Sequence, residues 1–367
     1  MDKTVAIAKP FDYFFHMRNV DDILGAVEDD PALAAALIIA VDGEVVVAAA
    51  KGVTRAFDAP GSPASPPGTP VDAATRFDLA SITKLITAAT VLSLLDERGA
   101  DASMEVAEVL PEFAEAGMRR ITIAQLLSHT AGFPPEWHDR SPDPGAVRFR
   151  AGARPIDPPG TAHRYSCVGY IWAGFAAEAL GGASLDRLAE QYVLEPLGMR
   201  ETGFRPSPEI RPRIAATEYQ QEPPRGMVQG DVHDETAWAL GGAVGNAGLF
   251  GTARDLLCLA EALRATPGES PLPAAVVRAM TAPVAVPGEG YRQALGPRID
   301  DEWMRGLRSP AVGHTGFTGT AVATEHGGLR SVVFLTNRVH PRRTSKEAIQ
   351  TMRRRVTDAA AALGVHR

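Results

Sequence analysis

The residues with the most evident chemistry are Ser81 and Lys84, in the stretch Phe77-Asp78-Leu79-Ala80-Ser81-Ile82-Thr83-Lys84. From Leu85 to Leu95 no side chain is charged, and Asp96-Glu97-Arg98-Gly99 closes the run. A segment apolar or small nearly all round predicts a buried helix, with Gly99 where helices commonly end in a left-handed residue. Three positions apart, Ser81 and Lys84 share one face of it. Ser81 falls in the first turn, where free backbone N–H groups and the helix dipole favour an alkoxide. Burial disfavours the charged form of Lys84, and a lysine closer to neutrality can take a proton from a hydroxyl. Further on, Tyr165-Ser166-Cys167 follows the loop Pro158-Pro159-Gly160 and offers a phenolate, or a phenol relaying through Lys84, for the same proton. His314-Thr315-Gly316 ends a predicted strand, where glycine lets a substrate lie along the backbone. There the Phe317 N–H can join that of Ser81 as an oxyanion hole.

Taken singly these signals are weak. Ser-x-x-Lys recurs by chance, a loop tyrosine is more often a packing residue, and His-Thr-Gly reads equally as a turn between strands.

The elements that must position these groups follow from pattern. Val20 to Glu28 reads as an amphipathic helix with Ile23, Leu24 and Val27 on one side. Ala34 to Val41, the turn Asp42-Gly43-Glu44 and Val45 to Lys51 predict a β-hairpin in the middle of the core. Ala59 to Asp72, rich in Pro, Gly, Ser and Ala, predicts a mobile loop. From Asp101 to Asp234 helical stretches and Pro/Gly loops dominate: Ile121 to Leu127 leading into Ser128-His129-Thr130-Ala131-Gly132, then Tyr170 to Leu180 and Leu185 to Leu197. A helix from Thr252 to Arg264 precedes strands at Ala311 to His314, Thr318 to Thr324 and Ser331 to Asn337, and a last helix runs from Ser345 to Leu363. The expectation is an α/β (α+β) chain. A discontinuous mixed domain of residues 1–100 and 240–367 would carry an inserted, mostly helical domain of residues 101–239, with the site between them.

The ordered set resembles the serine β-lactamase/penicillin-binding-protein superfamily, in the branch of class C β-lactamases, D-aminopeptidases, DD-peptidases, esterases and acyltransferases. It comprises the Ser81-Lys84 stretch, Leu126-Leu127-Ser128-His129-Thr130-Ala131-Gly132, Tyr165-Ser166 and His314-Thr315-Gly316. Further echoes are Glu195-Pro196-Leu197-Gly198-Met199, the stretch from Gly248 to Leu256, and Leu335 to Pro341. The resemblance implies an antiparallel sheet flanked by helices, a Ser81 nucleophile that is acylated, and proton transfers shared by Lys84 and Tyr165. It implies an oxyanion hole of the Ser81 and Phe317 N–H groups, with His314, Thr315, Gly316 and Cys167 along the substrate. His314 takes the place of the lysine that meets a substrate carboxylate in many β-lactamases. Cys167 departs from the asparagine common there. A thiol is a poor donor and acceptor, which weakens the case for β-lactams and peptidoglycan stems and favours esters.

Other polar residues have plainer expectations. His129 ties down its loop, Arg338 and His340 hold a strand end, and Trp137, Trp238 and Phe317 are candidate walls of an acyl pocket. His233-Asp234-Glu235 lacks the spaced partners of a metal site, and neither metal nor cofactor is expected.

Composition excludes several classes. The 367 residues are 45% hydrophobic and 22% charged with a net charge of -7, ordinary for a globular chain and wrong for nucleic-acid or anionic-membrane partners. The apolar stretch Pro31 to Ala50 is cut by Asp42 and Glu44 and cannot span a membrane. Met1-Asp2-Lys3-Thr4 does not start like a secretion signal, so a cytoplasmic location with Cys167 and Cys258 as reduced thiols is expected. Three functions compete. The first is a hydrolase or acyltransferase working through acyl-Ser81 on a small-molecule ester or thioester, with water or a small alcohol or amine as acceptor. The second is a D-amino-acid amidase, DD-peptidase or β-lactamase, and the third a non-catalytic sensor of the same fold.

Overall fold

The computed structural model describes residues 33–115, 117–139, 145–288 and 292–363, so the predicted helix Val20 to Glu28 lies outside the described residues. Its frame is a seven-stranded antiparallel sheet of β1 (Ala35–Val41), β2 (Glu44–Lys51), β3 (Arg292–Gln293), β4 (Arg298–Ile299), β5 (Ala311–Thr315), β6 (Ala321–Glu325) and β7 (Arg330–Thr336). The spatial order is β3-β4-β5-β6-β7-β1-β2. β1 therefore pairs with its hairpin partner on one side and with β7 on the other, from Ala35 opposite Thr336 to Val41 opposite Arg330. The hairpin is as expected, but its place is not. β2 is an edge strand with exposed residues alternating along it, rather than part of the middle of the core.

β1 is apolar at every position because both its faces are covered, and its period of two divides them. Ala34, Ala36 and Ala40 meet the large core, whereas Ala35, Leu37 and Ile39 meet a second one with Trp303, Ile349 and Val356. In β5 the same alternation sends Val312 into the large core and Ala311 into the second. His314, two residues beyond Val312, is thereby set on the large-core side of the sheet.

Helix α1 (Thr83–Glu97) fills that large core. Every residue from Thr83 to Leu95 is buried, as the charge-free run predicts, and Gly99 follows with φ +65°. Its neighbours include α2 (Cys167–Gly181) and the helix Ala274–Thr281. On the other side of the sheet lies α3 (Lys346–Ala362), whose Ile349, Val356 and Ala360 complete the second core.

Three boundaries differ from expectation for physical reasons. The strand predicted from Thr318 starts at Ala321, because the Thr318 and Thr320 hydroxyls bond to the Asp78 and Leu79 carbonyls. β3 and β4 have two residues each, too short to show a period. The Pro/Gly loop after Ala59 is tied down: Ser62–Pro63 pairs with Phe57–Ala59, and Val71 N–H bonds to Gly52 C=O. Among the described residues no helix is long and apolar enough to cross a membrane.

Candidate active site

Ser81 sits in a single 3₁₀ turn, Ala80–Ile82, that runs directly into α1. The residue before it, Ala80, has φ +48°, in the left-handed region. A non-glycine residue there costs about 1–2 kcal/mol, so the surroundings must hold it. Asp78 does so with both oxygens, accepting from Ala80 N–H at 2.8 Å and from His233 N–H at 2.7 Å. Burial pushes the Asp78 carboxyl above its usual range, against these hydrogen bonds. The Thr318 and Thr320 hydroxyls anchor the preceding carbonyls from the β5–β6 turn, at 2.8 and 3.1 Å.

Lys84, one turn on, is fully buried. Its Nζ donates to Ser81 Oγ at 2.9 Å and to the Asn246 carbonyl at 3.0 Å, and lies 3.5 Å from Cys167 Sγ. Asn246 reaches it because Gly245 lies flat on α2. A Cβ on Gly245 would stand 2.0 Å from the Tyr170 carbonyl oxygen. The expectation that burial makes Lys84 easier to neutralise is overturned. Burial does push its pKa down, but the charges of Cys167 and Tyr165 and a hydrogen bond with Tyr165 outweigh it, and the pKa is raised. Lys84 thus carries the proton that it donates to Ser81 Oγ.

Tyr165 is held in a short loop pinned at several points. Arg164 N–H bonds to His129 C=O at 2.9 Å, Ser166 N–H to His129 Nδ1 at 3.1 Å, and Cys167 N–H to Pro135 C=O at 2.8 Å. Ser166 also caps α2 through Gly169 N–H. The Tyr165 ring lies 4.5 Å from that of His129, 5.0 Å from Lys84 Nζ and 5.4 Å from the Arg298 guanidinium. Two cationic side chains thus flank the Tyr165 ring. His129 itself is buried and held well below its usual pKa, first by burial and then by Lys84 and its histidine and arginine neighbours, so its ring is neutral. Burial likewise pushes the Cys167 thiol up, although Lys84 pulls it down, and both cysteines are free thiols.

His314 is fully buried, with its ring 6.0 Å from Tyr165. Its Nδ1 must donate, since its partner at 2.8 Å is the Thr315 carbonyl. Burial, Arg298 and Lys84 hold its pKa well below the usual value, which leaves Nε2 as a bare acceptor with no partner among the described residues. A neutral acceptor cannot pair with a carboxylate as a lysine does. His314 occupies that lysine's place without its charge, and its bare Nε2 can accept from a hydroxyl or N–H.

Gly316 passes so close to the turn that carries Ser81 that no side chain fits. A Cβ there would be 2.0 Å from Thr320 Oγ1 and 2.7 Å from the Leu79 carbonyl oxygen. The following Phe317 is exposed, and its ring stacks on His233 at 5.5 Å with Arg338 and Arg343 at 4.9 and 5.2 Å. Its N–H bonds to no acceptor among the described residues. Ser81, Lys84, Tyr165, Cys167, His314, Thr315, Gly316 and Phe317 are thus gathered around one spot.

The remaining expectations fare differently. His233 pairs with Glu218 at 2.9 Å, and among the described residues no group of three or more His, Cys, Asp or Glu could hold a metal. Arg338 holds the Phe317 carbonyl at 2.9 Å, and His340 accepts from Ala56 and Phe57 N–H at 3.1 Å, so both clamp loops across the molecule. Trp137 lines a cavity of about 490 Å³ with Pro134, Arg154 and Ile156, whereas Trp238 stacks on Arg225 at 4.9 Å. Asn246, Arg298 and Arg353 were not singled out from sequence, because each acts through a contact far from any motif.

A sheet backed by helices, with serine and lysine at the head of the central helix, is the build of a serine hydrolase. The Beta-lactamase family model matches residues 23–356, and the chain belongs to that family. An Escherichia coli protein described as a "Putative D-alanyl-D-alanine carboxypeptidase" is 29% identical over 340 residues, covering 83% of this chain and 78% of that protein. Among solved structures, EstCE1, a hydrolase with promiscuous acyltransferase activity, superposes with a TM-score of 0.70 at 22% identity, covering 92% of this chain and 97% of that one. A class C beta-lactamase superposes with a TM-score of 0.73 at 18% identity over 95% and 96% of the two chains.

Proposed function

We propose that this serine hydrolase acylates Ser81 with a small-molecule ester or thioester and passes the acyl group to water or to a small alcohol or amine. The observation that carries the reading is the 2.9 Å hydrogen bond from a buried, cationic Lys84 to Ser81 Oγ beside Tyr165. Tyr165, reacting as the phenolate, takes the Ser81 proton as Oγ attacks the carbonyl, while Lys84 stabilises the negative charge on both oxygens. The oxyanion rests on the Ser81 and Phe317 N–H groups. Tyr165 gives that proton to the departing alkoxide or thiolate; in the second half it takes one from the acceptor as that attacks the acyl carbonyl, and passes it to Ser81 Oγ as the ester bond breaks.

The ester preference is supported by two side chains. His314 offers a neutral acceptor where a cation would be needed for a carboxylate, and the Cys167 thiol cannot replace an amide side chain. In this reading the site lies between the mixed domain and the helical insertion, and the compartment in which to seek substrates is the cytoplasm. The test is intact mass after incubation with activated esters, D-alanyl peptides and penicillins. One acyl adduct from the ester, absent in Ser81→Ala, supports the reading, and faster acylation by the penicillin or peptide overturns the substrate class. The carboxypeptidase relative favours the second reading, and in it Arg298, near Tyr165 and His314, is the cation a carboxylate would meet.

A further inference from the structure

The oxyanion side of the site contains a charge with no role so far. Arg353, on α3, is only 4% exposed and forms no ion pair among the described residues. Its Nη2 donates to two backbone carbonyls, Gly316 at 2.8 Å and Thr320 at 2.9 Å. Burial pushes its pKa down to about 9, still above neutrality, so the group is cationic. Burying a charge without a counter-ion is expensive, and a neutral donor would satisfy two carbonyls at lower cost.

The geometry of the peptide unit explains what a cation adds. The Gly316 C=O and the Phe317 N–H belong to one planar peptide and point in opposite directions. Gly319 N–H also bonds to the Gly316 carbonyl oxygen, at 3.1 Å, so both of its lone-pair directions are taken. The two hydrogen bonds fix the plane, and the charge-assisted one from Arg353 draws electron density from the N–H, making it a stronger donor. That N–H finds no acceptor among the described residues, and Gly316 abuts the turn that carries Ser81.

We propose that Arg353 is a positioning residue of the oxyanion hole, aligning and polarising the Gly316–Phe317 peptide so that the Phe317 N–H donates more strongly to an oxyanion at Ser81. The inference rests on the reading of Ser81 as the acylated nucleophile. Arg353 touches no substrate. It acts through one peptide bond.

The test is difference infrared spectroscopy of the acyl-enzyme, trapped by rapid mixing with a p-nitrophenyl ester labelled with ¹³C at its carbonyl. Wild type should show the ester carbonyl stretch lowered relative to the same acyl-enzyme after unfolding. In Arg353→Gln, which keeps a donor but no charge, the stretch should move back toward the unfolded value. There kcat should fall by roughly 10- to 100-fold with KM little changed, less than the roughly 10²- to 10³-fold for losing an oxyanion donor outright, because the N–H stays in place. Arg353→Lys keeps the charge without the fork, should fall between the two, and covers the case in which Arg353→Gln does not fold. A merely structural role would lower the amount of folded enzyme without moving the carbonyl frequency. An unmoved frequency in whichever variants fold overturns the inference alone. Absence of any acyl-enzyme in the wild type overturns the Ser81 reading and this inference with it.

Discussion

The two walls of the site are built in opposite ways. On one, Ser81 and Lys84 are three residues apart, and a single helical turn brings them to 2.9 Å. On the other, the Gly316–Phe317 peptide is held by Arg353 from α3 and by glycine contact with Leu79 and Ala80, and the next carbonyl, of Phe317, by Arg338 beyond β7. The first wall is local and tolerates little change of residue type, since its chemistry is in its side chains. The second is long-range and presents backbone, so its chemistry depends on placement. In the proposed mechanism, therefore, the nucleophile is written in one helical turn, whereas the oxyanion hole depends on contacts distant in the chain.

The largest expected effect breaks the local wall. Ser81→Ala should abolish fluorophosphonate labelling and lower ester turnover by on the order of 10⁴-fold or more, and labelling that persists would place the nucleophile elsewhere. Next come Lys84→Ala and Tyr165→Phe, each expected to lower kcat by at least about 10²-fold. Because both act on one proton and one charge, the double variant should lose little more than the worse single one. Additive losses would separate them.

The long-range wall is broken by Gly316→Ala, whose methyl group collides with Thr320 Oγ1 and the Leu79 carbonyl oxygen. Displacing one oxyanion donor should lower kcat by roughly 10²- to 10³-fold, with fluorophosphonate labelling of Ser81 slowed rather than lost. Full ester turnover in this variant would show that the Phe317 N–H is not used.

Smaller effects sharpen the contrast. His129 and His314 are buried with pKa values held well below 6.5, so the unfolded chain takes up protons where the folded one does not. Their contribution to stability is therefore complete above about pH 6.5 and is lost as the pH falls below it. Tm should decline on acidification from neutrality, and His314→Gln should flatten that decline, as scanning calorimetry across pH would show. The smallest effect is expected of Cys167→Ala, which should leave ester kcat/KM nearly intact, while Cys167→Asn should improve acylation by a penicillin relative to the ester. Collapse of ester turnover in Cys167→Ala would give the thiol a role on the local wall.

What was legible in the sequence is what depends on neighbours along the chain. The charge-free run after Lys84 marks a buried helix wherever it packs, and the hairpin of β1 and β2 follows from alternation and a turn. The order of Ser81, Lys84, Tyr165 and His314-Thr315-Gly316 was sufficient to point to the family. What only the tertiary structure decided is charge and donor strength. Lys84 reads as easily neutralised when burial alone is considered, yet Cys167 and Tyr165, brought beside it by α2, reverse the sign. His314 takes a lysine's place in the sequence, but burial, Arg298 and Lys84 hold it neutral and the Thr315 carbonyl fixes which ring nitrogen donates. Arg353 carries no local signal at all, being one arginine among several on an amphipathic helix. The physical reason is common to the three: periodicity is a property of consecutive residues, whereas the electrostatic state of a buried group depends on whichever charges and carbonyls the fold sets within a few ångströms of it.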